Sequence, residues 1–161
     1  MQDLVEKLAE LLKGKAMMLA TAESCTGGLL AATLTHKAGA SAFFDRGFIT
    51  YSNQAKMEML DIPEVPLSSF GAVSAEIAEA MAKGALEKSN AGLAVSTTGV
   101  AGPDGGTAKK PVGLVYFGYA LKGGSAGSVE YNFKGSRPQI QGAAVTTAIK
   151  HLITVLERPN E

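Results

Sequence analysis

The sequence predicts an α/β fold, a three-layer α/β/α sandwich around a mixed β-sheet, in a single domain over residues 1–161. Three observations carry this expectation. Two continuous apolar runs of strand length, 16–22 and 93–98, are set among helical stretches, the pattern of strands covered on both faces. Two further strand-like segments flank a glycine turn late in the chain, adding an antiparallel hairpin that makes the sheet mixed. The length allows one sizeable core and is short for two, and with 46% apolar and 19% charged residues the composition is that of an ordinary globular domain.

Leu4, Leu8, Leu11 and Leu12 fall at helical spacing, and Gly14 follows as a C-cap, which predicts a first helix over 3–13. The apolar run 16–22 then reads as a buried strand. It ends in a tight polar turn, Glu23-Ser24-Cys25-Thr26-Gly27-Gly28, before a helix resumes over 29–34. Residues 48–51 read as a second strand, and Ser52 or Asn53 caps a short helix containing Lys56. Pro63 and Pro66 mark a loop. Ser74 caps a helix running to about Lys88, with Glu76 one place short of a capping box. The buried strand 93–98 leads into a glycine-dense loop, 99–106. Strands over 112–121 and 129–133 form the hairpin, and Ser136-Arg137-Pro138 opens a long last helix with the proline near its first position.

Charge and cysteine content exclude several functions. Fifteen basic residues balance fifteen acidic ones, so no general field draws the chain to nucleic acid or to an anionic membrane. One cysteine, Cys25, excludes an intramolecular disulfide, and His36 and His151 show no metal-ligand spacing. The start of the chain is acidic and amphipathic rather than signal-like, and no apolar run approaches the roughly 20 residues of a membrane span. The expected location is the cytoplasm. The expected partner is a small molecule rather than nucleic acid or membrane, with a homo-oligomer left open.

Three segments carry chemistry. The 23–28 turn lies beyond the carboxyl end of a strand, where open α/β sheets bind ligands, and it begins a helix whose free N–H groups favour an anion. A hydroxyl there is placed as an acyl-transfer nucleophile would be, although Ser24 or Thr26 could equally cap the helix. Cys25 competes as nucleophile, because a helix start favours a thiolate. Lys56 sits in the first turn of its helix, where the macrodipole disfavours a charged ammonium, and a neutral lysine is a general base. A solvated surface lysine is the plainer alternative. The glycines of 99–106 permit close backbone approach to a ligand, but the loop is neither a Walker loop nor G-x-G-x-x-G.

Five blocks then occur in order: A-E-S-C-T-G-G (22–28), G-F-I-T-Y-S-N-Q-A-K (47–56), G-A-V-S (71–74), T-G-V-A-G-P-D-G-G (98–106) and K-P-V-G (110–113). This series resembles the CinA C-terminal domain, the nicotinamide-nucleotide amidohydrolase family, over nearly the whole chain and in its stand-alone form. The resemblance implies a cofactor-free, metal-free hydrolase of nicotinamide mononucleotide in pyridine nucleotide salvage. Ser24 would be its nucleophile, Lys56 the base and Tyr51 an assisting neighbour. Cys25, Thr26, Gly27 and Gly28 would hold the substrate from the turn, Thr98, Gly99 and Gly102 from the glycine loop, and Arg137 would take the phosphate. The family's G-D-R-x-x-[VI]-R-like stretch departs at two places here, with Ser136 for the aspartate and Gln141 for the second arginine. Those departures favour the alternative of a catalytically silent nucleotide-binding or interaction protein of the same fold. An amidase for another small amide is a further alternative.

Overall fold

A computed structural model describes residues 1–159. In chain order the elements are α1 (Gln2–Gly14), β1 (Leu19–Glu23), α2 (Leu29–Thr35), a 3-10 turn (Ala40–Ala42), β2 (Phe44–Ile49), α3 (Asn53–Leu60), α4 (Glu64–Phe70), α5 (Ala75–Glu87), β3 (Leu93–Gly99), β4 (Leu114–Leu121), β5 (Ala126–Asn132) and α6 (Arg137–Glu157). The five strands lie in the order β2-β1-β3-β4-β5. β1 runs parallel to β2 and β3, while β3–β4 and β4–β5 are antiparallel, so the sheet is mixed as expected.

Alternation along the central strands sorts the two cores. Leu19, Leu93 and Val95 point to one side and pack with Leu8 and Leu12 of α1, Leu30 of α2 and Ile149 and Leu152 of α6. Ala20, Ala22 and Ala94 point to the other side, against Leu60 of α3, Leu67 of α4 and Ile77 and Met81 of α5. The residues on that second face are small because α5 lies close against the sheet. A Cβ on Gly118 would fall 2.0 Å from the Ala78 carbonyl oxygen, so only glycine admits the helix there.

The caps follow the sequence closely. Ser52, Ser74 and Ser136 each accept the N–H three residues on, and Ser136 forms a full capping box with Gln139. The first strand begins at Leu19 rather than 16 and the last is Ala126–Asn132 rather than 129–133, and two further expectations need correction. The second strand is Phe44–Ile49 rather than 48–51, and Tyr51 lies beyond its end. This edge strand is half exposed, so Asp45 and Arg46 interrupt the apolar signal that a buried strand would give. The segment around Pro63 and Pro66 is helix α4, with Pro63 at the N-cap and Pro66 inside the first turn, where its missing N–H leaves no bond unmade.

Candidate active site

β1 and β3 are parallel and in register, with Glu23 beside Thr97, so the turn after β1 and the loop after β3 emerge at one sheet edge. A cavity of about 320 Å³ opens there. It brings together Ser24, Cys25, Tyr51, Lys56, Thr98, Gly99, Gly102 and Arg137 of the residues expected from sequence. Thr26, Gly27 and Gly28 do not line it: the buried Thr26 hydroxyl bonds Glu23 and Thr97, the Gly28 N–H donates to the Glu23 carboxylate, and Gly27, its N–H donating to the Ser24 carbonyl, is exposed outside the cavity. Gly28 takes φ 105° at the N-cap of α2, a conformation that glycine alone adopts without strain. The cavity wall also includes Ala72, Val73, Val100, Ala101, Asp104 and Gly105. Their blocks, G-A-V-S and the glycine loop, stand out in the sequence, but nothing local tells which members face inward.

The centre of the cavity is a serine against a lysine. The Lys56 Nζ lies 3.0 Å from the Ser24 Oγ, 2.8 Å from the Thr50 carbonyl and 3.3 Å from that of Tyr51. The side chain is 1% exposed, and no carboxylate pairs with it among the described residues. Burial, with no carboxylate to offset it and only a smaller upward pull from the neighbouring Cys25, pushes its pKa down from 10.5 to about 8. A neutral amine here can donate its two protons to the Thr50 and Tyr51 carbonyls and accept the Ser24 proton on its lone pair. The Cys25 thiol is buried, and that burial pushes it up to about 12, so the thiolate that a nucleophile requires is not formed at neutral pH.

A buried lysine of this kind lowers stability. The shift from 10.5 to about 8 corresponds to about 3 kcal/mol, present in full below pH 8 where folded and unfolded chains are both protonated. Between about 8 and 10.5 the unfolded chain holds the extra proton, so folding gains stability as pH rises. Lys56→Met should therefore raise the unfolding free energy by on the order of 1–3 kcal/mol at pH 7, a gain that shrinks as pH approaches 10.5. Urea titrations of both proteins across that range measure it; a less stable variant, or a gain independent of pH, contradicts the assignment.

Tyr51 and Arg137 meet at the rim. One Arg137 guanidinium nitrogen donates to the Gly102 carbonyl at 2.8 Å and the other to the Tyr51 hydroxyl at 3.0 Å. Tyr51 thus faces the Ser24–Lys56 pair with its carbonyl, and its phenol leans on the arginine. Two of the five guanidinium N–H donors are engaged by neutral acceptors and none by a carboxylate, which leaves capacity for an anion. The two departures from the family pattern also have places in the fold. Ser136 caps α6, and the Gln141 amide donates to the Cys25 carbonyl at 3.0 Å, bracing the turn that carries Ser24. Among the described residues no three His, Cys, Asp or Glu side chains gather as a metal would require. No helix of the described residues is long and apolar enough to cross a membrane.

Fold and site define a class: a three-layer α/β domain with a serine–lysine pair at the carboxyl ends of parallel strands. The chain belongs to the CinA C-terminal domain family, whose model matches residues 1–156. It is 45% identical to the nicotinamide-nucleotide amidohydrolase PncC of Enterobacter agglomerans over 93% of this chain and 92% of that protein. It is 43% identical to the protein of the same name from Escherichia coli K12, over 94% and 92%. A putative competence-damage inducible protein of Caldicellulosiruptor saccharolyticus is 51% identical over 92% of this chain, which spans only 36% of that longer protein's length. Among solved structures, the competence/damage inducible protein CihA of Agrobacterium tumefaciens superposes with a TM-score of 0.93 at 44% identity, covering 97% of this chain and 94% of that one.

Proposed function

We propose that the chain hydrolyses nicotinamide mononucleotide to nicotinic acid mononucleotide and ammonia, with Ser24 as nucleophile and Lys56 as its base. The observation that carries the reading is the 3.0 Å contact between the Ser24 Oγ and a buried lysine nitrogen held near pKa 8. The substrate rests on the relatives named nicotinamide-nucleotide amidohydrolase, whose length the chain nearly spans. The reaction would serve pyridine nucleotide salvage.

Neutral Lys56 takes the Ser24 proton as Oγ bonds to the carboxamide carbon. The oxygen of that carbon becomes an oxyanion, facing backbone N–H groups of the turn that follows Ser24. The C–N bond then breaks, and Lys56 returns the proton to the departing ammonia. Water, deprotonated by the same amine, attacks the acyl-enzyme and releases the carboxylate product with Ser24 restored. Arg137 pairs with the phosphate through its unengaged N–H groups.

Ammonia release from nicotinamide mononucleotide, compared with the unphosphorylated riboside, tests both substrate and rim. Arg137→Ala should raise KM for the mononucleotide by a factor equivalent to about 1.5–3 kcal/mol, a lost charge-assisted bond, and change the riboside little. Equal weakening of both substrates makes Arg137 a brace for the loop and Tyr51 alone. No ammonia from either removes the substrate assignment.

A further inference from the structure

We infer that Glu23 is a positioning residue for the acyl-transfer step: its carboxylate fills the start of α2, so that the turn after Ser24 keeps the N–H group of Cys25, which lines the cavity, for the substrate. The inference rests on the reading of Ser24 as nucleophile. Glu23 ends an otherwise uncharged strand and is wholly withdrawn from water. A buried carboxylate is costly unless its oxygens are bonded, and here four donors meet it. Its Oε1 accepts from the Thr26 hydroxyl at 2.6 Å, the Leu30 N–H at 2.9 Å and the Gly28 N–H at 3.3 Å; its Oε2 accepts from the Ala31 N–H at 3.0 Å. Because the Thr26 proton goes to Glu23, the 2.7 Å contact between the Thr26 and Thr97 hydroxyls has Thr97 as donor.

The remaining N–H groups of the turn can then be assigned. Ser24 donates to the Thr97 carbonyl, Gly27 to that of Ser24 and Leu29 to that of Thr26. Gly28, Leu30 and Ala31 donate to Glu23, which leaves Cys25 and Thr26 without a partner among the described residues. The positive end of α2 is therefore satisfied from within the chain, and the substrate phosphate is directed to Arg137 instead. Glu23 also reaches the base. Its own carbonyl accepts the Thr50 N–H at 2.8 Å, and the Thr50 carbonyl accepts from the Lys56 Nζ at 2.8 Å.

Glu23→Gln keeps the shape but sets an amide donor against an N–H or hydroxyl. Thr26→Val removes one arm of the cluster, and Thr26→Ser keeps it. Each variant is measured for melting temperature, for kcat and KM on nicotinamide mononucleotide, and for the rate at which a fluorophosphonate modifies Ser24, read by intact mass. The expected result is folded protein with kcat lowered about 10- to 100-fold at nearly constant KM in Glu23→Gln and Thr26→Val, phosphonylation slowed in parallel, and Thr26→Ser close to wild type. Folded variants with unchanged kcat and labelling, a rise in KM alone, or failure of both variants to fold would overturn the inference. If wild type is labelled at Ser24 yet releases no ammonia, the substrate reading fails while the labelling rates still decide Glu23. A wild type inert to both probes removes Glu23's role together with the serine–lysine pair.

Discussion

Lys56→Arg is expected to lower kcat/KM on nicotinamide mononucleotide by about 10³-fold, within the range of a lost general base. The two side chains carry the same charge, but arginine does not give up its proton at any working pH. Lysine can do so here because no carboxylate compensates its burial: its nitrogen meets two carbonyls and a hydroxyl. Far-ultraviolet circular dichroism on the same samples separates loss of the base from loss of the fold. Activity within tenfold of wild type in a folded Lys56→Arg protein contradicts a proton-accepting role.

Ser24→Ala should cost at least as much, about 10³-fold or more, with no loss of folded protein. The hydroxyl receives the Lys56 bond and makes only a long contact, 3.4 Å, to the Tyr51 carbonyl, so the fold does not depend on it. Its neighbour makes the contrast. Cys25→Ala deletes a thiol whose pKa lies near 12 and which packs in the core, and it should leave kcat/KM within about fivefold. Steady-state ammonia release measures both. Turnover retained in Ser24→Ala and lost in Cys25→Ala would move the reaction to the sulfur.

Much of this arrangement is legible in the sequence because it is local. The apolar runs of β1 and β3 are strands buried on both faces, and Ser52, Ser74 and Ser136 announce helix starts through bonds that span three residues. Ser24 and Lys56 are visible as a hydroxyl at a strand-to-helix turn and an amine near a helix start, and the ordered blocks raise both above an isolated serine or lysine. What the sequence conceals depends on distant partners. Arg137 reaches Gly102 and Tyr51, and Gln141 reaches Cys25, across 35, 86 and 116 residues of chain. Glu23 sits in plain view within A-E-S-C-T-G-G, yet its role emerges only when three N–H groups and a threonine hydroxyl converge on it. The edge strand β2 and the proline-containing helix α4 escape for a different reason: their partial exposure breaks the periodic patterns on which strands and helices are read.

The serine–lysine pair is tested most directly by the pH dependence of wild-type kcat/KM on nicotinamide mononucleotide, from about pH 5.5 to pH 10. With Lys56 as the base only the enzyme carrying it neutral would react, so the rate should rise tenfold per unit at low pH and level off above a single inflection near the lysine pKa of about 8. A profile that is flat across that range, or that falls as pH rises through 8, would contradict the assignment of Lys56 as the base.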